Sequence, residues 1–422
     1  VALTVLLAAY RYVRARRRGT LGWDDVACIV ALYALGLAFK EHAILLPALL
    51  VALEWTVLRE PVADASRARD AMTTSATMRA HRRILFYLLA ALAVLWLLVR
   101  SDIVGGLAGD RPHVALKGLG LAARSWVMLG LVPEIARLFL WPARLYADYS
   151  PSYVSVHAVP GIVHLPGAVI LVGFAATLGW CWARARTLAF ALLWIVVALS
   201  IVSNVVLPTG ILLAERTLFL ATVGVALAAG AVAEPLVARA AAWPRLARTA
   251  GRAMLVAILG LAAAHSAERQ YAWASNDAMI AALVVDAPAN FRGHYWLGDE
   301  LLRRGEFVEG ERALRYAMRL WPAHDGPPLA LALRYHERGF CAPALALYEI
   351  AMRIDPEKPT PRFGHAGCLL ALGRASHARA EALEGLRIGR APAAMRLLMY
   401  QADSLLAATD SVRGANWWLR RR

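Results

Sequence analysis

Residues 38–50 read Ala38-Phe39-Lys40-Glu41-His42-Ala43-Ile44-Leu45-Leu46-Pro47-Ala48-Leu49-Leu50, which sets three ionisable side chains between the apolar runs Leu21 to Phe39 and Ala43 to Leu58. A charge at the centre of a bilayer costs at least ~2.5 kcal/mol, so such groups lie at a membrane face, pair with one another, or line a wet cavity. Two readings follow. Either Lys40 and Glu41 cap a hairpin of two membrane helices at the lipid headgroups, or the triplet Lys40-Glu41-His42 is part of a site.

The composition places this stretch in a membrane protein. Of 422 residues, 59% are hydrophobic, beyond the roughly half expected of a soluble domain. Val1 lies inside an apolar run with no initiator Met or signal-peptide layout, and the expectation is that a further membrane segment precedes it. The formal net charge of +16 invites a nucleic-acid reading, but the excess sits in loops between apolar segments. Four basic clusters, Arg11 to Arg18, Arg59 to Arg83, Arg184 with Arg186, and Arg239 to Arg252, lack the aromatic or polar interleaving of a phosphate-binding strip. Cationic loops of this kind mark the cytoplasmic side.

With those loops inside, the chain threads consistently. Leu21 to Phe39 runs outward and Ala43 to Leu58 returns. Ile84 to Val99 runs out, although 16 residues fall short of the ~20 needed to span squarely. Ile162 to Trp182 comes in, Leu188 to Leu207 goes out, Ile211 to Ala233 comes in, and Ala253 to Ala264 begins a last outward crossing. Leu116 to Trp141 carries Arg124, Pro133, Glu134 and Arg137 and reads as helices at the outer interface. The unusual polar residues then collect outside: Lys40-Glu41-His42, the loop Ser101 to Lys117 with Asp102 and Asp110, Tyr146 to Tyr149, and Leu207 to Gly210 through Glu215-Arg216. Glu215 and Arg216 fit either a site or an ion pair that holds helix ends together. Asp24-Asp25 open a helix on the inner side, where acids favour the helix dipole, and are not read as catalytic.

Beyond the last apolar segment a repeat appears. Pro288, Pro322 and Pro356 stand 34 apart, as do Gly305, Gly339 and Gly373. That period is the tetratricopeptide unit of helix, turn and helix. Small residues recur in register at Gly298, Ala332 and Ala366, at Gly310, Ala344 and Ala378, and at Ala317, Ala351 and Gly385. The expected fold is all-α: a membrane helix bundle over residues 1–265, a linker or first helix over 266–287, three repeats over 288–390, and a capping helix pair within 391–422. Stacked repeats of this type form a groove for a peptide or partner protein. Cys341 and Cys368 fall on helix ends that the repeat brings together, where they form either a bridge or two packed thiols. No metal signature, Walker A, G-x-S-x-G or H-E-x-x-H occurs, and Gly105 to Gly109 follows no strand.

Several short motifs in order resemble one family. They are Phe39-Lys40-Glu41 with Leu46-Pro47, then Leu140-Trp141-Pro142 with Leu145 and Asp148-Tyr149-Ser150, then Ala214-Glu215-Arg216-Thr217-Leu218-Phe219. Trp273, Pro288, Asn290, His294 and Leu297-Gly298 follow. Together they resemble the transmembrane, TPR-containing O-mannosyltransferases (the TMTC family) and their bacterial relatives. The resemblance implies a GT-C glycosyltransferase fold whose outward cavity transfers a sugar from a polyprenyl-phosphate donor, with the repeats on the same side of a cytoplasmic (inner) membrane. It leaves open whether a divalent metal takes part.

An inverting transfer needs a carboxylate to deprotonate the acceptor and cations to hold the departing phosphate. Lys40 and Arg216 are the candidates for phosphate, Glu41, Asp148 and Glu215 for orienting acceptor or cation, and His42 and Tyr149 for further substrate contact. The family keeps its catalytic acids in the first outward loop, which would precede Val1, so the chain by itself is expected to be inactive. Thr217 and Phe219 stand where the family commonly has aromatic hydroxyls. The rival readings are a non-catalytic membrane scaffold whose repeats dock envelope proteins, and a lipid-linked oligosaccharide ligase or flippase. The expected partners are membrane lipid, a lipid-linked sugar and a protein or peptide at the repeat groove, without nucleic acid.

Overall fold

The computed structural model describes residues 1–58, 68–104, 113–152, 154, 156–206, 208–240, 242–388 and 392–419. Among these, every regular element is a helix. Gly105 to Gly109, Asp110, Leu207 and Arg390 lie outside the described residues. The chain divides into two compact units, Val1–Tyr146 with Ser155–Arg269, and Ala147–Val154 with Gln270–Arg422.

The first unit holds α1 (Ala2–Arg17), α2 (Trp23–Phe39), α3 (Leu46–Trp55), α4 (Ala68–Val104), α5 (Leu121–Leu140), α6 (Leu165–Arg184), α7 (Arg186–Ser200), α8 (Glu215–Ala240) and α9 (Arg245–Tyr271), whose last two residues fall past the boundary. Gly19, at φ 72°, reverses the chain between α1 and α2 in a conformation that favours glycine. Asp25 then closes the first turn of α2 by accepting from the Gly22 N–H at 3.3 Å. At the other end Lys40 is extended and stops the helix; the tight turn Glu41–Leu45 follows, and Pro47 opens α3. The core joins Tyr12, Ile29, Tyr33, Leu46, Leu49, Leu50, Leu85, Leu89 and Trp194, all fully buried.

Among the described residues, four helical stretches are long and apolar enough to cross a membrane: Ala76–Ile103, Ile162–Arg184, Glu215–Ala240 and Arg245–Tyr271. Helix α4 corrects the 16-residue expectation for Ile84 to Val99, because Arg79, Arg82 and Arg83 continue the helix where the sequence reading ended it. The last segment likewise extends from Ala253–Ala264 to the whole of α9. The run Ala43 to Leu58 is not one membrane helix. Its helical part, α3, has ten residues, about 15 Å at ~1.5 Å per residue, and buries Leu46, Leu49, Leu50, Ala52 and Leu53. Such a length suits a buried core helix. The run Leu188 to Leu207 also shortens, since α7 ends at Ser200 in a loop built on Asn204. That side chain is 1% exposed, donates to the carbonyls of Ile211 (3.0 Å) and Leu212 (3.1 Å), and accepts from the Thr209 N–H (2.7 Å).

The second unit holds α10 (Asn276–Asp286), α11 (Phe291–Arg303), α12 (Phe307–Leu320), α13 (Gly326–Glu337), α14 (Cys341–Ile354), α15 (Pro359–Ala371), α16 (Ala375–Arg387) and α17 (Pro392–Leu419). Helices α11 to α16 form three pairs. Each pair turns on a glycine at positive φ: Gly305 (88°), Gly339 (81°) and Gly373 (71°). This is a tetratricopeptide-like arrangement in which close helix contact excludes side chains. A Cβ at Gly298 would lie 2.7 Å from Leu314 Cγ and 2.9 Å from the Gly310 carbonyl oxygen. The expected capping pair is instead the single helix α17, because the turn position 34 residues after Gly373 is Ala407, which continues a helix.

Candidate functional site

Two separate groups of charged side chains stand among α1 to α4 and the turn after α2. One lies where α1, α2, α3 and α4 approach. Glu54 Oε1 accepts from Tyr12 Oη (2.6 Å) and Arg16 Nε (2.6 Å), and its Oε2 accepts from Arg16 Nη2 (3.1 Å) and Arg82 Nη1 (2.9 Å). Arg11 pairs with Asp25 at 2.5 Å. The other group surrounds the turn after α2. Glu41 Oε2 lies 3.8 Å from Arg100 Nη1, and the Arg100 guanidinium stands 5.2 Å from the centre of the Trp96 ring. Trp96 in turn donates from Nε1 to the Leu37 carbonyl (3.0 Å), which ties the end of α4 to the end of α2.

Arg82 and Arg100 belong to one helix and are 18 residues apart, about 27 Å along α4 at ~1.5 Å per residue. The two groups are therefore separated by close to the ~30 Å of a bilayer hydrocarbon core.

Lys40, Glu41 and His42 thus remain together, and Arg100 joins them. Lys40 is exposed, Glu41 half-buried and His42 buried. Neither ring nitrogen of His42 has a hydrogen-bond partner among the described residues. Burial, reinforced by the Lys40 charge and opposed by Glu41, holds His42 below the usual imidazole range, so it is neutral at pH 7. The group offers two cations, a carboxylate and a neutral imidazole with spare hydrogen-bonding capacity. That set can bind a phosphate and orient a hydroxyl.

Glu215 begins α8 and accepts at Oε1 from the Tyr146 N–H at 2.6 Å; Arg216 beside it is exposed. Thr217, one residue further, lines a cavity of about 410 Å³ between α5, α6, the end of α7 and the start of α8. Its walls are apolar, among them Met128, Val132, Leu171, Leu199, Leu212 and Leu218, and its hydroxyls come from Ser125, Ser203, Thr209 and Thr217. Phe219 is 63% exposed and does not line this cavity.

Asp148 makes its contacts in the second unit, to which Tyr149 also belongs. Asp148 Oδ1 pairs with Arg292 Nη1 at 2.6 Å, its carbonyl accepts from Asn290 Nδ2 at 2.8 Å, and Tyr149 is 1% exposed. Nearby, Ser152 Oγ accepts from the Phe291 N–H at 2.9 Å. These bonds fix segment 147–154 to the start of the first repeat. Along the first helices of the repeats, Tyr295, Asp299, Leu333, Arg334 and Lys358 line a small groove, in which Lys358 also pairs with Asp325 at 2.5 Å.

Sequence reading missed Arg100, Glu54 and Asn204. Arg100 and Glu54 each carried a signal, a single charge at the end of an apolar run; Asn204 carried only its place between Ser203 and Pro208.

No family model matches the chain. No curated protein matches it either. Among solved structures, the crystal structure of yeast Tom70 aligns over 92% of this chain and 86% of that one, at 11% identity and a TM-score of 0.31. A superposition at that level establishes no shared fold, and the chain is placed in no family.

Proposed function

We propose that the protein is a membrane-embedded glycosyltransferase that takes a sugar from a polyprenyl-phosphate donor at the charged layer around Lys40, Glu41, His42 and Arg100. The observation that carries this reading is the position of that layer, one bilayer core away along α4 from the Arg16-Glu54-Arg82 layer. The Arg16-Glu54-Arg82 layer coincides with the Arg-rich loops, which supports an outer-face position for Lys40 and Arg100. There they neutralise the lipid phosphate as the sugar leaves, Arg100 in the bidentate manner open to a guanidinium and Lys40 as a point charge. Glu41 orients Arg100 and His42. Arg216 is a third phosphate contact, and Glu215 orients it or the acceptor. The 410 Å³ cavity lined by Thr217 suits the first isoprenoid units of the donor.

The bundle in this reading is GT-C-like, and the repeat unit lies outside the cytoplasm and presents the acceptor, a protein hydroxyl or a peptide, along the groove at Tyr295 and Arg334. Asp148 serves that unit by holding segment 147–154 against Asn290 and Arg292, with Tyr149 buried beside it.

Binding separates this reading from a scaffold. The protein in nanodiscs should retain polyprenyl phosphate over the corresponding polyprenol, as read by native mass spectrometry, and Lys40→Ala with Arg100→Ala should abolish that preference. Equal retention of phosphate and alcohol by the wild type would leave the bundle as an anchor for the repeats.

A further inference from the structure

Three side chains in the repeat unit converge without a role in the proposed transfer. His336 closes α13, Cys341 opens α14 and Cys368 lies on α15, so three successive helices each contribute one group. One ligand atom from each lies within 4.8 Å of the other two. Cys341 is 4% exposed and Cys368 0%, and both are unbridged thiols. The sequence left a bridge or a packed pair as the alternatives; the pair is observed, with a histidine beside it.

We propose that His336, Cys341 and Cys368 form a binding site for a thiophilic d10 cation, Zn²⁺ or Cu⁺, between the second and third repeats. Distances support it. Ligand atoms held ~2.0–2.3 Å from such a cation lie about 3.5 to 4 Å from one another, so the observed group is completed by shifts of about 1 Å. The histidine is already oriented. Its Nδ1 is 3.1 Å from Tyr348 Oη; with Nδ1–H donating to that hydroxyl, the imidazole has the outer hydrogen bond of a metal ligand and Nε2 is the ligand atom. The Nε2 edge faces α15, since a Cβ built on Gly367 would lie 3.1 Å from His336 Cε1 and 3.7 Å from Nε2. Residue 367 has no side chain to block that edge.

Binding deprotonates both thiols and releases two protons. Two thiolates and a neutral imidazole around Zn²⁺ sum to zero charge in this buried place, with water completing a four-coordinate shell. Around Cu⁺ the same ligands leave one negative charge but satisfy a three-coordinate ion. Either cation would pin three helices to one point.

The test uses the full chain in detergent, stripped with a chelator and reduced with a phosphine. Zn²⁺ is titrated against a chromophoric chelator, and Cu⁺ against bicinchoninate. One equivalent of Zn²⁺, of Cu⁺ or of either should bind, unchanged in Cys28→Ala/Cys181→Ala and weakened more than roughly 100-fold in Cys368→Ser and His336→Ala, since even outer-shell changes cost ~10- to 100-fold. Tyr348→Phe keeps all three ligands and should weaken binding about tenfold, which preserves the test if a cysteine variant fails to fold. Failure of both metals to bind, or equal binding by Cys368→Ser or by a folded His336→Ala, overturns the site. So does a Cys341–Cys368 disulfide in unreduced protein taken directly from cells.

Discussion

Replacing Glu54 by Ala should destabilise the first unit more than any single surface substitution. The carboxylate accepts four hydrogen bonds from Tyr12, Arg16 and Arg82, and its side chain is 16% exposed while that of Arg16 is 4% exposed. Removing one partner of a buried ion pair costs about 3–5 kcal/mol, because the desolvated charge opposite stays behind. Here two guanidiniums converge on the vacated space and repel each other. Arg82 is about one-third exposed, and water screens part of that repulsion, so the lower end, about 3 kcal/mol, applies. Glu54→Gln keeps an acceptor and the shape but loses the charge, and should cost about half as much. Arg16→Met with Glu54→Leu removes both charges and fills the space, and should recover most of the loss. Thermal unfolding in nanodiscs, followed by tryptophan fluorescence, would read the series. A Glu54→Ala transition within a degree of wild type would refute the argument and return Glu54 to the solvated surface.

Gly298→Val should cost the repeat unit at least ~1–3 kcal/mol through overpacking, since its Cβ meets both a side chain and the Gly310 backbone, and a fall in the unit's unfolding midpoint would register it. His324, whose ring centre lies 5.0 Å from that of Phe291, is pushed down to about 4 by burial against the opposing charge of Asp325. It stays neutral in the fold while the unfolded chain protonates below about pH 6.5, so its contribution of up to ~3 kcal/mol is complete above pH 6.5 and is lost as pH falls toward 4. Melts at pH 7 and pH 5 should show this drop in wild type and a smaller one in His324→Phe. Alkaline phosphatase should be active when fused after Arg422 and inactive when fused after Arg186; the reverse pattern would turn the assignment of faces inside out.

What the sequence made legible was local. The 34-residue register could be read because each turn needs a residue at positive φ, and Gly305, Gly339 and Gly373 announce it. The same rule shows why the end of the chain became one helix, since Ala407 has no such preference. Lys40-Glu41-His42 was visible because charges interrupting an apolar run have few tolerable places. Partners were not visible. Glu54 depends on residues 38 and 28 positions away, Arg100 on a turn 59 positions back, and Asp148 on Arg292, 144 positions on. Apolar runs alone also misjudged helix length at both extremes: α4 continues through arginines, while Ala43 to Leu58 holds only the ten helical residues of α3.

The proposed role of the Lys40-Arg100 layer in sugar transfer is tested most directly by turnover. Membranes containing the protein at its full natural length are incubated with a polyprenyl-phosphate-linked sugar, and sugar released to acceptor is counted. Lys40→Ala and Arg100→Ala should each lower the rate at least tenfold, a loss of about 1.4 kcal/mol of transition-state stabilisation per contact. Wild-type rates in both variants, with the donor demonstrably consumed, would contradict the account.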